Sequence, residues 1–543
     1  MHKLLIYSYL LFLFFLIFAC KRNENDVRSK VFRYNESKGV VSLDPAFARN
    51  QATIWPVAQI YNGLLQCDDS LNILPCIAKS YSISNDGKEY TFILRNDIYF
   101  HDHPLFLNKK GRKLIAQDVV FSFNRLINPD LASPGSWVLN VLDKEKANFG
   151  VLAINDTILK IYLSVPFAPF AGLLTIPYCF IVPFEIVKYY GRDFRSHPVG
   201  TGPFYLKMWA EGEKMILRKN EHYFEKDSVG NYLPRVDAVS ISFIADKQSE
   251  FMEFIKGRID FISGVNASFK DELISVDGSL QKKYQQKLKM LKVPYLNTEY
   301  LGFMIDKAKM PDNQLLDKRV RQAINLAIDR QKLTSYLRNN IGTPANSGFV
   351  PKGMASFSEK KVMGFNYNPD SSRKLLADAG FPFGKGLQTI KITTVSDYLD
   401  ICEFVQHELE MVNIPVEVET VTGLAYREML ANCQMQMFRA SWIADYADAE
   451  NYLSLFYSNN FAPSGPNYTH FMSSKYDALY ENSQKETDET ARFDLYYKMD
   501  QMIVDEALIV PLFYDEAIRF TQFNIKNLGI NPLNMLNLKY VDK

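Results

Sequence analysis

The segment Arg439-Ala440-Ser441-Trp442-Ile443-Ala444-Asp445-Tyr446 holds two opposite charges six residues apart, with only small, apolar and aromatic residues between them. An unpaired charge in a dry site is costly, so such a segment suits a guest that brings the matching charges. A carboxylate takes an ammonium, and the planar Arg fork takes two carboxylate oxygens. Taken alone, an Asp in a Tyr-rich loop is an ordinary turn or cap residue, and an Arg is an ordinary surface partner. Other constellations offer less. His101 and His103 would share one face of a strand, as a metal pair does, but Pro104 follows and the stretch reads as a strand-ending turn. His197, His222, His407 and His470 are scattered, so no metal cluster is readable and no metal or cofactor is expected. The Gly-rich GTGP at 200–203 lacks phosphate-loop spacing, and Pro203 removes a backbone donor, so a tight turn is expected there. No G-x-S-x-G or comparable nucleophile motif occurs, and the reading is of a protein without catalysis.

Composition narrows the classes further. The chain has 543 residues, 47% hydrophobic and 23% charged, an ordinary globular balance. With 62 Lys plus Arg against 61 Asp plus Glu there is no basic footprint for nucleic acid. Aromatics reach 14%, which suits ring-lined clefts and large buried surfaces. Length alone allows roughly three or four domain-sized units.

The N-terminus reads as an address. Leu4 to Ala19 is apolar except for Ser8, too short for the ~20 residues of a spanning helix. It fits a signal peptide over 1–19. Ala19-Cys20 resembles a bacterial lipoprotein box, with Cys20 the lipidated residue and 20–30 a polar tether; an uncleaved membrane anchor is the other reading. Either way the body lies outside the cytoplasm. Of the five remaining cysteines, Cys67 and Cys76 flank a turn-rich stretch and could pair, or stand as separate thiols.

The elements that must position these residues alternate. Asn85-Asp86-Gly87 joins two strands as a hairpin, and Asn155-Asp156 joins another pair. Residues 115–127 carry the apolar stripe of a helix, and LLDKRVRQAINLAIDRQKLTSYL at 315–337 reads as one amphipathic helix. Residues 387–421 read as a strand, a helix and a strand, and 435–456 begin as a strand and pass into a loop. The class is α/β, in two lobes with a hairpin-rich insertion.

Eight segments together resemble the extracytoplasmic solute-binding proteins of the peptide/nickel ABC importer family. They are SLDPA at 42–46, YNGLL at 61–65, SNDGKEYTFILRNDIYFHD at 84–102 and AQDVVFSFNR at 116–125. GTGPFYL at 200–206, VRQAINLAIDR at 320–330, NPDSSRKLLADAGF at 368–381 and SWIADYADAENY at 441–452 complete the set. The resemblance implies a periplasmic-binding-protein-like fold of type II, the large cluster with an extra domain, its ligand cleft between the lobes. Lobe I would be built from 30–62, 190–293 and 508–543, the extra domain from 63–189, and lobe II from 294–507. The chain would cross between lobes near Tyr295 and near Leu508. The implied function is that of a lipid-anchored binding protein, monomeric, at the periplasmic or cell-surface face of a bacterial membrane. It would capture short peptides and deliver them to an ABC permease in the inner membrane. In peptide-binding members a Trp followed three residues later by Asp carries the ammonium contact, here Trp442 and Asp445. A basic residue three before the Trp meets the carboxylate in some members, here Arg439, with strand-like bonds expected from Ala440, Ser441 and Trp442. Two positions depart from the family pattern: Ser441 stands where Gly is frequent, and Ala449 where Pro is. A nickel complex, haem or an oligosaccharide as ligand, or a peptide-sensing receptor, are the alternatives on the same fold.

Overall fold

The computed structural model describes residues 30–543. The apolar N-terminal run and Cys20 lie outside them. Among the described residues no helix is long and apolar enough to cross a membrane.

Two strands organise the molecule. Leu288–Phe303 and Ile509–Gln522 lie antiparallel at the centre of a sheet of eleven strands. Leu288–Val293 pairs with Gln522–Ala517, and Thr298–Gly302 with Tyr514–Ile509. Between these halves the register shifts, at Pro294–Thr298 opposite Glu516–Tyr514. Pro294 has no amide hydrogen to give the ladder, so a break there is expected of its chemistry. On one side of the break the sheet continues through Phe261–Ser263, Val31–Asn35, Ala238–Ser242, Lys214–Lys219 and Phe204–Ala210. On the other side it continues through Met437–Ile443, Ile390–Thr394 and Val416–Thr420. The register break lies beside Tyr295 on one strand and at Asp515–Glu516 on the other.

The insertion is a separate four-stranded antiparallel sheet, Ala78–Ile83, Glu89–Leu94, Ile158–Tyr162 and Val151–Ala153, with the helix Ala116–Leu126 and a ribbon of Leu65–Cys67 with Ile73–Pro75. Asn85-Asp86-Gly87 forms its first hairpin turn, with Gly87 at positive φ. Polar ties hold the insertion to its neighbour. Asp44 caps a short 3-10 turn and accepts both Arg125 guanidinium nitrogens (2.9 and 2.5 Å), linking SLDPA to the insertion's helix. The GTGP turn packs on the end of the helix Gln51–Ile60, where the Gly202 amide donates to the Ile60 carbonyl (2.8 Å). His101 donates from Nε2 to the Gly202 carbonyl (2.9 Å) and accepts the Gly200 amide at Nδ1 (3.3 Å). Burial pushes its pKa down to about 4, the Gly202 bond opposing, so the ring is neutral and structural.

One expectation changes. Residues 315–337 form two helices, Lys318–Ala327 and Arg330–Arg338. Ile328 is extended and Asp329 starts the second helix by accepting the Lys332 amide. Of the two readings open for Cys67 and Cys76, the separate thiols are what the structure shows.

A Cβ on Gly202 would lie 2.4 Å from the Ile60 carbonyl carbon and 2.6 Å from two carbonyl oxygens. Gly202→Ala must therefore displace backbone, and the expected cost is ~1–3 kcal/mol. A urea unfolding midpoint unchanged from wild type would contradict this packing.

Candidate functional site

The strand Met437–Ile443 carries the segment singled out above. One edge is fully paired with the crossing strand, Asn297 through Phe303 opposite Ile443 through Met437. The other edge has partners only at Met437 and Phe438, facing Ile392 and Thr393. From Arg439 to Ile443 no strand of the described residues covers that edge. Backbone groups along Ala440, Ser441 and Trp442 therefore border an uncovered sheet edge, although the Tyr426 hydroxyl donates to the Arg439 carbonyl.

After Ile443 the chain turns, and Asn451 holds the turn. Its Oδ1 accepts the Trp442 indole N–H (3.0 Å) and the Asp445 amide (3.2 Å). Ala449 precedes the short helix Glu450–Leu453, which carries Asn451. Trp442 is half-buried beside the lobe II core.

Asp445 and Tyr446 are the residues of the segment that reach cavities, and Asp445 is the charged one. The Asp445 cavity, about 120 Å³, is bounded by Asn62, Gln66 and Asp69, by Thr175–Pro177, and by Asn531–Lys539 of the C-terminal segment. It thus lies between the lobes. Asp445 is open to water there and yet closely crowded by protein. Crowding raises its carboxyl to about 6, with the Asn451 side chain pulling the other way. No cation of the described residues contributes to its balance. The cavity's lining cation, Lys539, is committed elsewhere: its ammonium donates to Glu225 (2.5 Å) and Gln66 (2.8 Å). A neighbouring cavity of about 200 Å³ shares Cys67, Leu71 and Thr175 and adds Asp448, Glu489 and Arg492, the last 3.9 Å from Asp448. The combined space presents Asp445 and Asp69 outside any ion pair, and no free cation, among the described residues. A larger cavity, about 1290 Å³, lies beyond Gln66 and Cys76 and holds none of 439–446; its Arg95, Lys110 and Lys219 pair with Asp97, Asp102 and Glu221.

Arg439, expected to read a ligand's carboxylate, has a partner within the protein. Its guanidinium forms an ion pair with Glu299 of the crossing strand and stacks on the Tyr398 ring, 3.1 Å from its centroid. The side chains of Arg439 and Glu299 are 8% and 4% exposed. Burial raises Glu299 to about 7 even with Arg439 opposing it. The charge at 439 thus faces a buried carboxyl inside lobe II and favours its ionised form. Ser441 stands opposite Glu299 in the ladder. Sequence reasoning had not found Glu299, Asn451 or Lys539. For Glu299 a signal existed: an acid in the otherwise apolar and neutral run YLNTEYLGF.

Comparison with known proteins places this geometry. The family model of bacterial extracellular solute-binding proteins, family 5 Middle, matches residues 72–464. The dipeptide-binding protein DppE of Bacillus subtilis (strain 168) is 23% identical over 540 residues, 95% of this chain and 92% of DppE. The periplasmic oligopeptide-binding protein OppA of Escherichia coli (strain K12) is 28% identical over 500 residues, 88% of this chain and 86% of OppA. The solved structure of DppA from Helicobacter pylori, a periplasmic binding protein in complex with the peptide STSA, superposes with a TM-score of 0.76 at 24% identity, covering 94% of this chain and 98% of that one.

The ion pair makes a prediction of its own. Arg439→Met strands Glu299 in a dry site and should lower unfolding free energy by ~3–5 kcal/mol. Adding Glu299→Gln should recover most of that loss. Equal stability of the single and double variants in urea would show that the pair does not bear this role.

Proposed function

The chain belongs to the bacterial extracellular solute-binding proteins of family 5, and on that premise we propose that it captures short peptides by their free N-terminus. The observation that carries this reading is Asp445, an unpaired carboxylate recessed in the interlobe cavity and held by Asn451. An α-ammonium supplies the missing partner. The uncovered edge from Arg439 to Ile443 offers main-chain donors and acceptors to an extended ligand, which reads a peptide without reading its side chains. Ala440, Ser441 and Trp442 are the residues assigned that role. Arg439, already balanced by Glu299, shapes the wall and leaves the ligand's carboxylate unread.

The lobes close on the ligand about the register break at Pro294–Thr298 and Asp515–Glu516, because a guest touching both walls binds the closed arrangement better than the open one. The N-terminal address supports a lipid anchor at Cys20, with 1–19 removed and 20–30 the tether. The anchored monomer then passes its peptide to a membrane permease, with no chemical change to the cargo. The names of the relatives DppE and OppA, dipeptide- and oligopeptide-binding, agree with a peptide ligand.

Calorimetry with tri-alanine, its N-acetyl form and its C-terminal amide tests the assignment. N-acetylation should abolish binding, because the guest then brings no cation to Asp445. Amidation should change affinity little. The reverse order would place the charge contact at Arg439 after all. Asp445→Asn should also abolish binding while raising the melting temperature of the empty protein. The folded carboxyl titrates near 6, above its ordinary 3.8, so the empty protein is destabilised at pH 7 and relieved as pH falls through 6. Binding needs the ionised carboxyl and the protonated α-amine, whose ordinary pKa is about 8, so affinity for tri-alanine should be greatest near pH 7 and fall up to about tenfold per unit below 6 and again above 8.

A further inference from the structure

Away from the cleft, three residues far apart in the chain meet at one point. Cys433 Sγ lies 2.9 Å from His470 Nε2, and His470 Nδ1 lies 3.1 Å from Asp306 Oδ2. Phe461 stacks on the imidazole, 4.5 Å between centroids and nearly parallel. Cys433 is 6% exposed, among Met304, Ala462 and Met310. The His470 side chain is also 6% exposed. Cys433 and His470 both adopt left-handed φ, 57° and 54°, a conformation that costs a residue with a side chain and persists where the surroundings impose it.

The order thiol, imidazole, carboxylate is that of a nucleophile, its base and the group that orients the base. Asp306 holds the proton on Nδ1, which leaves the Nε2 lone pair facing sulfur. Burial pushes the Cys433 thiol up, with Lys309 opposing and Asp306 adding, so the proton rests on sulfur until a reaction draws it off. Once it moves, the imidazolium has two acceptors in place: Asp306, and the Ala462 carbonyl 3.1 Å from Nε2.

We propose that Cys433 is a base-activated thiol, a site of oxidation by small uncharged hydroperoxides, with His470 as its base and Asp306 as the group that positions the base. The small exposure admits a solute of that size and excludes bulky disulfides. Sulfur attacks one peroxide oxygen; the S–O bond forms as the O–O bond breaks. The thiol proton passes through His470 Nε2 to the departing oxygen. Hydrogen peroxide leaves as water, and Cys433, oxidised by two electrons, becomes a sulfenic acid. This assignment is independent of the peptide reading, since none of the three residues lines the Asp445 cavity.

The test treats the full chain with one equivalent of hydrogen peroxide, traps sulfenic acid with dimedone, and maps each cysteine by mass spectrometry. Label should enter Cys433 before Cys67, the least buried of the described thiols. His470→Gln should slow labelling at Cys433 on the order of 100-fold, the usual worth of a general base. Asp306→Asn should slow it less, and Cys67 should be unaffected by either. Label entering Cys67 first, or an unchanged rate in a folded His470→Gln protein, overturns the proposal. If that variant does not fold, the wild-type rate is compared in water and heavy water. Slowing in heavy water supports proton transfer in the oxidation step, and equal rates overturn it.

Discussion

A carboxylate crowded by protein must find a cation, find hydrogen bonds, or lose its ionisation, and the cleft side of lobe II contains each case. Glu299 finds Arg439 across the ladder. Glu450 is buried and receives the hydroxyls of Tyr446 and Tyr480. Asp448 takes the Tyr496 hydroxyl and the Glu450 amide. Asp445 finds only the Asn451 side chain, which leaves its charge uncompensated. The four lie within one stretch of sheet and turn, so the difference between them is local design: three acids are tied down around one that is not. The bare acid, Asp445, faces the interlobe cavity.

Glu299 and Asp445 also show why charge type in a sequence does not by itself identify a ligand contact. Arg439 and Asp445 are six residues apart and look equivalent as candidates. Their fates diverge because Arg439 lies on the strand, within reach of Glu299, whereas Asp445 lies past the turn. The pairing partner sits 140 positions earlier in the chain, on a strand whose full length was not legible. Local signals were read well. The Asn-Asp-Gly hairpin and the strand–helix–strand of 390–420 both depend on neighbours in sequence. What failed depended on distant neighbours or on a single cap. Asp329 divides one amphipathic stripe into two helices, and the stripe continues across the division because both helices face the same core. The meeting of Asp306, Cys433 and His470 has no sequence motif at all, since chain spacing carries no record of it.

The distribution of core explains how a cleft can work mechanically. One apolar cluster runs from Phe32 through the insertion to Val541, so the insertion and the first half of the sheet share a single packed interior. The Asp44–Arg125 pair, the His101 bonds and the glycines of the 200–203 turn tie the same two parts together. Packed interiors transmit displacement and do not bend, so these parts move as one wall. Lobe II has its own clusters, one around the helices of 318–409 and one around 435–509.

Between the two walls the sheet is continuous only through Leu288–Phe303 and Ile509–Gln522, and their ladder is interrupted where they pass from one to the other. A ladder resists shear along its paired length, so rotation concentrates where pairing is absent. Other contacts cross as well: Asn339 and Asn340 donate to the Ile274 and Val276 carbonyls, and Lys270 donates to the Leu337 carbonyl. Tyr446 packs beside Gly172, the Ala168 amide donates to the Gln484 carbonyl, and the Leu296 amide donates to the Pro532 carbonyl. Of these last three, the first two lie on the Asp445 side of the molecule, where a ligand would add its own contacts. On the proposed reading, closure is decided by a sum of the lobe-to-lobe contacts, a ligand ammonium on Asp445, and a ligand backbone along the free edge. A guest without the ammonium would remove a charged member of that sum and leave a crowded carboxylate without a partner. The charge proposed to give affinity for the right ligand would thereby oppose closure around the wrong one.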